Sequence, residues 1–436
     1  MKKTLLAVGL ATGLAVNLFA GETLRLKLVP DHDVLLRGRP QEVVVKIDLS
    51  AIAGQPKHRR TPLNLAVVLD RSGSMTGPKL EKAKQAAMQL VDRLAPGDIF
   101  SLVIYSDEAQ VLVPAQKVED NDALKEKIEG IEAGGSTALY AGVKTGAGQI
   151  QEYFSSKRIN RIILLSDGLA NVGPSSTRDL RRLGRDLSGR GISVTTIGVG
   201  DDYNEDLMAG LAEASDANYY YVQDTEKLPE IFARELGEML AVAARDVRIE
   251  IVCPDGIKPL GLIGRPERFE HQQASVNLSQ LTLGQNRYLL LRCLVNGDQS
   301  EIARVSVNYK DELDSGSDQL ASGLVKVNFT EDQGSADKSV NGAVVAQKQI
   351  LLTAMAKDEA MAQADNGKLQ EAAATLSLQR AQLDAVYANA PASVQVQIRE
   401  ETNNLRDFSD QLNGGSYSSA SRKTLQSQSY NTRNSK

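Results

Sequence analysis

The pattern of hydrophobic and polar positions changes several times along the 436 residues, so the chain is expected to contain more than one kind of structure. Residues 22–49 alternate between apolar and polar positions, which is typical of half-buried strands. Between residue 63 and about residue 242, short apolar runs alternate with stretches of helical spacing. Strand patterns return from about residue 246, and residues 338–412 have helical spacing and are rich in Ala, Gln, Leu and Glu.

The middle segment predicts an α/β fold with a doubly wound, mostly parallel sheet that helices cover on both faces. Two of its strands, residues 63–69 and 99–105, are almost continuously apolar, as expected for parallel strands buried on both sides. The strands before and after this unit predict a β-sandwich in which the N-terminal strands join the later ones. The α/β unit would then be inserted in, or flanked by, that sandwich, and a C-terminal helical segment would follow.

The N-terminal and C-terminal segments differ in composition from the rest of the chain. Lys2 and Lys3 precede an apolar run over residues 4–19, and Ala20 offers a cleavage point, which together predict a signal peptide. The run is shorter than the ~20 apolar residues of a spanning helix, so we expect an exported protein, periplasmic or secreted, without a transmembrane helix after cleavage. Residues 413–436 contain no acidic residue and are rich in Ser, Gln, Asn, Lys and Arg, and we expect them to be disordered.

These patterns divide the chain into six segments. They are a signal peptide over 1–20, β-strands over 21–60, the α/β domain over 61–243, a β-sandwich over 244–332, a helical hairpin with a third helix over 333–412, and a disordered tail over 413–436.

Charge and cysteine content exclude some functions. The formal net charge is −5, and no basic cluster indicates nucleic-acid binding. Two cysteines, Cys253 and Cys293, both lie in apolar, strand-like runs. In an oxidising compartment they could form one disulfide between neighbouring strands, and two buried free thiols are an equal alternative. Two cysteines without CxxC spacing cannot build a structural zinc site.

Candidate chemistry lies in three loops of the α/β domain. Asp70-Arg71-Ser72-Gly73-Ser74 follows the first apolar strand and places oxygen side chains at its first, third and fifth positions. This hard oxygen set suits Mg²⁺ or Mn²⁺, but alone it is a weak signal because Ser and Asp are common helix N-caps. Gly134-Gly135-Ser136-Thr137 precedes a helix, and Ser166-Asp167-Gly168 follows another buried strand. A doubly wound sheet would bring these loops to the same edge.

Together, the motifs DRSGSM, GGSTAL and SDGLANVG resemble the metal-ion-dependent adhesion site of the von Willebrand factor A (VWA) domain, over roughly residues 62–240. The resemblance implies that Ser72 and Ser74 bind a metal directly and that Thr137 does so in the ligand-ready state. It also implies that Asp70 and Asp167 act mainly through water. The expected cofactor is Mg²⁺, with Mn²⁺ or Ca²⁺ as alternatives.

The same residues indicate a binding function. Because few carboxylates contact the ion, its charge stays under-neutralised and a coordination position stays open for an incoming oxygen. An Asp or Glu of a partner protein would fill that position, which is also what the resemblance implies. The expected function is adhesion or assembly through an unidentified partner. Four residues are assigned to the rim of the partner-binding surface: Arg71, Met75, Asp107 and Asp201.

Two alternatives remain open. A metal-dependent hydrolase would need a general base, but His32, His58 and His271 all lie outside the α/β domain, so we expect no enzyme activity. In the other alternative, the metal stabilises a structural scaffold of the cell envelope that binds partners through its helical segment.

Overall fold

The computed structural model describes residues 23–52, 60–314 and 316–435, together with the backbone of residues 19–20. The expected signal peptide lies outside the described residues except for Phe19–Ala20, which form a short strand, β1. The remaining strands are β2 Leu24–Pro30, β3 Val34–Leu36, β4 Gln41–Ala51, β5 Leu63–Asp70, β6 Ile99–Tyr105, β7 Ala109–Lys117, β8 Ile159–Ser166, β9 Ser193–Val199, β10 Tyr219–Val222, β11 Val242–Val252, β12 Ile257–Leu262, β13 Gln273–Thr282, β14 Asn286–Val295, β15 Glu301–Asp311, β16 Ser317–Lys326 and β17 Asn328–Thr330. The helices are α1 Pro78–Val91, α2 Asn121–Glu129, α3 Leu139–Glu152, α4 Thr177–Ser188, α5 Glu205–Ala214, α6 Leu228–Leu240, α7 Gln333–Lys338, α8 Gly342–Asp365, α9 Leu369–Tyr387, α10 Ala392–Gly414 and α11 Ser419–Asn434.

The α/β domain is built on a six-stranded sheet in the order β10-β9-β8-β5-β6-β7. Every neighbouring pair is parallel except β6 and β7, which confirms the predicted mostly parallel sheet. Side chains alternate along β5 between two clusters: Leu65 and Val67 face one side, while Ala66 and Val68 face the other. Helices α1, α2 and α6 cover the first side, and α3, α4 and α5 cover the second. The sheet is therefore buried on both faces.

Helix α3 packs unusually close to the sheet. A Cβ added at Gly142 would lie 2.8 Å from the ring of Tyr105, and one at Gly146 would lie 2.6 Å from a methyl of Val68. Only glycine fits at these two positions without a shift of the helix. The close packing fixes the start of α3, and hence Thr137 just before it.

Nine of the remaining strands form two antiparallel sheets, in the orders β1-β2-β4-β14-β12 and β13-β11-β15-β16, and β3 and β17 pair with each other in parallel. The N-terminal strand β4 pairs with β14 along its length, from Gln41 opposite Val295 to Ser50 opposite Asn286. Buried side chains of both sheets share one hydrophobic cluster. The N-terminal strands therefore do pair with those that follow the α/β domain, while the classification of these sheets as a β-sandwich stays a prediction.

The two cysteines lie within this shared cluster. Cys253 follows β11 of one sheet, and Cys293 lies on β14 of the other. Both thiols are buried and free, with their Sγ atoms 3.9 Å apart. The disulfide between these neighbouring strands stays a prediction, as do the two free thiols.

The helical segment forms the predicted hairpin and third helix. Helices α8 and α9 are joined through Asn366 and Gly367, and Pro391 caps the start of α10. Gly367 has a positive φ of 76°, which a side chain would oppose. Val344 and Leu351 of α8 pack against Val44 and Leu290 on the outer face of the sheet that contains β4 and β14. The hairpin is thus fixed to the β-strands.

The prediction of a disordered tail is wrong. Residues 419–434 form helix α11, in which Leu425 and Tyr430 are fully buried. The physical reason is charge complementarity, because the basic helix lies between the acidic side chains of α5 and α8. Its ion pairs are Arg422 with Glu205 at 2.6 Å, Asp206 at 2.9 Å and Asp365 at 2.7 Å, Lys423 with Glu205 at 2.9 Å, and Arg433 with Glu213 at 2.6 Å and Asp358 at 3.3 Å.

Within the described ranges, no helix combines the length and the apolar composition that crossing a bilayer requires.

Candidate metal centre

The first loop of the site is organised around Asp70, the last residue of β5. Its carboxylate is fully buried: Oδ1 accepts a hydrogen bond from the Ser72 amide at 2.9 Å, and Oδ2 accepts one from Ser166 Oγ at 2.7 Å. Burial raises the pKa of Asp70, and the hydrogen bonds from Ser72 and Ser166 oppose that shift. Asp70 therefore ties the loop after β5 to the end of β8. Residues Gly73–Met75 then form a 3₁₀ turn that leads toward α1.

Three hydroxyl groups converge at the carboxyl edge of the sheet, around Gly168. A Cβ added at Gly168 would lie 3.1 Å from Thr137 Oγ1, 3.2 Å from Ser74 Oγ and 3.8 Å from Ser72 Oγ. Ser72 Oγ and Ser74 Oγ are themselves 3.1 Å apart and hydrogen-bonded. The structure thus brings together hydroxyls from the loops after β5 and before α3, beside the loop after β8.

Backbone hydrogen bonds hold the Thr137 loop against the first loop. Gly73 donates to the carbonyl of Gly135 at 3.0 Å, and Gly134 donates to the carbonyl of Arg71 at 2.7 Å. The amide of Thr137 donates to Asn171 Oδ1 at 2.8 Å. These contacts fix the position of Thr137 through its main chain, so its hydroxyl is free to face the site.

Asp167 closes the site from the loop after β8. Its carboxylate is fully buried, with Oδ1 accepting from Ser74 Oγ at 2.7 Å. Its second oxygen, Oδ2, accepts from Lys79 Nζ at 2.6 Å. The five residues that the sequence assigned to the metal, Asp70, Ser72, Ser74, Thr137 and Asp167, therefore lie in one hydrogen-bonded cluster with its neighbouring loops.

Sequence reasoning missed three members of this cluster: Ser166, Asn171 and Lys79. Ser166 and Asn171 lie inside the motif SDGLANVG, so their positions beside Asp167 were a usable signal. Lys79 lies in the first turn of α1, five residues after Ser74. A lysine at the start of a helix does not by itself indicate a contact with the metal cluster. The contact of Lys79 with Asp167 depends on the angle at which α1 leaves the loop.

The donor set fits a hard divalent cation. It consists of hydroxyl and carboxylate oxygens, which are the ligands that Mg²⁺ and Ca²⁺ take in proteins. Ser72 and Thr137 are buried, while Ser74 is exposed, so the cluster reaches the surface at Ser74. The assignment of Ser72, Ser74 and Thr137 as direct ligands, with Asp70 and Asp167 acting through water, stays a prediction.

Of the four residues assigned to the rim, Met75 is a wrong prediction. Its side chain is fully buried and packs in the cluster on the α1 side of the sheet, because the 3₁₀ turn directs this apolar residue inward. Arg71 is half-buried and donates to the carbonyl of Glu132 at 3.3 Å.

The two acidic rim residues are exposed. Asp107 accepts from the amide of Ser136 at 2.9 Å, and this hydrogen bond lowers the pKa of Asp107. Asp201 accepts from the hydroxyl of Tyr221 at 2.6 Å. Asp107 thus positions the residue before Thr137, and Asp201 is engaged by Tyr221 of β10. Their part in partner binding stays a prediction.

The chain is similar in sequence to several known proteins. The protein sll0103 of Synechocystis sp. is 30% identical over 318 residues, which are 69% of this chain and 74% of that protein. YfbK of Escherichia coli is 25% identical over 308 residues, again 69% of this chain but 53% of that protein. Both relatives are bacterial, and the chain spans about half the length of the second.

The fold is similar to that of a solved structure, a von Willebrand factor type A protein from Catenulispora acidiphila. The TM-score is 0.69, and the two sequences are 19% identical, with 91% of each chain covered. The family pattern of the von Willebrand factor type A domain matches residues 64–234, the segment that contains all five predicted metal ligands. Together with the identity to sll0103, this match shows that the chain belongs to the von Willebrand factor type A domain family.

Proposed function

We propose that this chain binds a protein partner by coordinating an Asp or Glu side chain of that partner through a divalent cation held at Ser72, Ser74 and Thr137. Members of the family often interact with other proteins in a metal-dependent way. The observation that carries the proposal is the convergence of three hydroxyls around Gly168, beside the buried carboxylates of Asp70 and Asp167.

The charge balance of this cluster favours a carboxylate at the coordination position left open for a partner. Asp167 is paired with Lys79, so the ammonium already offsets one of the two carboxylate charges. A bound Mg²⁺ would therefore keep one of its two positive charges unbalanced, and a neutral oxygen ligand would leave that charge uncompensated. An anionic side chain gains the most from binding there, because charge-assisted contacts are stronger than neutral ones.

The test uses the full chain on arrays of short peptides that contain Asp or Glu, each beside its Asn or Gln counterpart. Binding is measured with Mg²⁺, with Mn²⁺, with Ca²⁺ and with a chelator. We expect a subset of acidic peptides to be retained with metal, and neither their amide counterparts nor the chelator condition to show retention.

Two variants separate the site from the rest of the domain. Thr137→Val removes one hydroxyl of the cluster and should abolish retention. Thr145→Val changes a half-buried threonine on α3 that makes no side-chain hydrogen bond with a described residue, and should retain peptides like the wild type. Metal-independent retention, or equal retention by Thr137→Val, would contradict the proposal.

The alternatives predict different results with the same proteins. A scaffold that binds through its helical segment would keep its partners in Thr137→Val, and a metal-dependent hydrolase would cleave the retained peptides, which mass spectrometry detects. Export to the periplasm or the medium is a separate proposal, supported by Lys2, Lys3 and the apolar run that follows them. Fractionation of cells that produce the full chain tests it.

A further inference from the structure

A second polar surface lies at the opposite edge of the parallel sheet from the metal cluster. A groove of about 810 Å³ opens between the starts of β8 and β9, the end of α4, and strands β11 and β13. The length of β8 separates it from the metal cluster, and eight residues of strand span roughly 25 Å. Among its lining residues are the arginines Arg158, Arg161, Arg185, Arg190, Arg245 and Arg248.

Acidic neighbours neutralise half of these arginines. Among the described residues that line the groove, Asp246 alone is acidic, and it pairs with Arg245 at 3.1 Å. Three carboxylates that do not line the groove form ion pairs with its arginines. Glu235 pairs with Arg161 at 3.2 Å, Glu312 pairs with Arg245, and Glu250 pairs with Arg248 at 3.0 Å.

The other three arginines keep their charge. Arg158 donates to the main-chain carbonyls of Leu63 at 3.2 Å and Gly97 at 2.7 Å, and no carboxylate of a described residue pairs with it. Arg185 and Arg190 are exposed, and their side chains make no hydrogen bond or ion pair with any residue that the structure describes. Arg185 also lies in the last turn of α4, where a cation complements the helix dipole. The helix dipole does not account for Arg158 or Arg190, because both lie outside the helix.

Unused hydrogen-bond donors accompany this charge. The Nε atom of Arg161 is buried and has no hydrogen-bond partner among the described residues. Small hydroxyl side chains also line the groove: Ser156, Ser188 and Ser193. The hydroxyl of Ser279, which lines it too, already donates to the carbonyl of Asp216 at 2.8 Å. Guanidinium forks beside hydroxyl donors match the oxygens of phosphate groups. A phosphate monoester carries about −1.5 to −2 charges, so two such groups would balance the three unpaired arginines.

We propose that this groove binds an anionic ligand that carries two or more phosphate groups. Those groups can belong to a soluble molecule or to lipid headgroups, and the chemistry of recognition is the same. This site is independent of the metal cluster and of the function proposed for it.

The first test is calorimetric titration of the full chain with tripolyphosphate in the presence of a chelator, so that a metal at the other site plays no part. We expect saturable binding that Arg185→Gln/Arg190→Gln weakens by roughly tenfold or more, because two charge-assisted contacts are lost. The matched control is Arg178→Gln/Arg182→Gln, which changes the net charge equally on exposed positions of the same helix outside the groove. It should bind within about twofold of the wild type.

The second test distinguishes the two sources of phosphate by flotation with vesicles of phosphatidylglycerol or of phosphatidylcholine. Binding of phosphatidylglycerol vesicles that is lost in Arg185→Gln/Arg190→Gln alone supports the site and identifies a headgroup as its source. Tripolyphosphate binding without vesicle binding supports it with a soluble ligand. If neither probe binds, or if both double variants lose binding equally, the proposal is wrong.

Discussion

Lys79 Nζ lies 2.6 Å from Asp167 Oδ2, which places an ammonium group on one of the two buried carboxylates of the metal cluster. The opposite oxygen of the same carboxylate accepts from Ser74 at 2.7 Å. Asp167 is thus shared between a fixed cation and a hydroxyl that would bind the metal. Because Lys79 and a bound divalent ion would compete for the same negative charge, this pair sets part of the metal affinity.

We expect Lys79→Gln to bind Mg²⁺ about three- to tenfold more tightly than the wild type, since unit charges a few ångströms apart interact by about 1 kcal/mol even in a water-like medium. Calorimetric titration of the full chain measures the change. Lys82→Gln is the control, because Lys82 lies on the same helix and pairs with Glu226 at 2.7 Å instead. Weaker binding by Lys79→Gln would show that the ammonium supports the site.

Gly168→Ala should abolish divalent-metal binding while the domain stays folded. The added Cβ would lie 3.1 Å from Thr137 Oγ1 and 3.2 Å from Ser74 Oγ, in the space that the three hydroxyls enclose. Gly148→Ala is the control, because a Cβ at this exposed position of α3 meets nothing within 4 Å. That control should bind metal normally and be stabilised by up to about 1 kcal/mol through helix propensity. Normal metal binding by Gly168→Ala would place the ion elsewhere.

Tyr430→Phe should destabilise the contact between α11 and the α/β domain. The Tyr430 hydroxyl is buried and donates to the carbonyl of Ala217 at 2.5 Å, so its loss leaves that contact unmade and should lower the free energy of unfolding by about 1–2 kcal/mol. Tyr417→Phe is the matched control, because the Tyr417 hydroxyl is buried without a hydrogen-bond partner among the described residues. Urea unfolding, followed for both variants, should show a loss for Tyr430→Phe only. Equal stabilities would mean that α11 is not a packed part of the fold.

The pH dependence of stability should include a contribution from Glu42. Arg292 binds both of its carboxylate oxygens, at 2.8 and 3.1 Å, and Lys348 of α8 adds a contact at 3.2 Å. The hydrogen bond from Arg292 is the main reason that the pKa of Glu42 falls below its ordinary value of 4.5. Because the folded-state pKa is depressed, the stabilisation is present above the ordinary pKa and is lost as the pH falls through the lowered value.

Glu42→Gln should therefore lower stability by no more than about 1 kcal/mol near pH 7, since the pair is partly exposed, and the difference should shrink toward about pH 3. Urea unfolding at both pH values measures it. Glu331→Gln removes an exposed carboxylate that has no ion pair with a described residue and should show no such trend. A difference for Glu42→Gln that persists or grows at acid pH would contradict the assignment.

The sequence predicted the α/β domain well because burial on both faces leaves a strong local pattern. Strands β5 and β6 lie within one residue of their predicted bounds. Strands β12 and β13 were not assigned individually. Pro259 and Gly261 weaken the strand pattern of β12, whereas Ala274, Val276 and Leu278 of β13 do alternate with exposed polar residues and were a usable signal. The helix α11 was missed for a different reason. Its residues are polar, and its order depends on Glu205, Glu213 and Asp365, which are distant in sequence.

The residues of the site also divide into those that a local sequence pattern specifies and those whose contacts depend on the folded structure. Asp70, Ser72, Ser74, Thr137 and Asp167 could be chosen from motifs because each loop follows or precedes a recognisable element. The inward direction of Met75 and the contact of Lys79 with Asp167 depend on the 3₁₀ turn between β5 and α1, which no residue pattern specifies.

Calorimetric titration of the full chain with Mg²⁺ and Mn²⁺, wild type beside Asp70→Ala/Ser72→Ala, tests the central claim most directly. The account predicts saturable binding at one site in the wild type and none in the double variant, because the variant loses the carboxylate that orders the first loop and one of the three hydroxyls. Equal binding by both proteins, or no binding by the wild type, would contradict the assignment of this cluster as the metal centre.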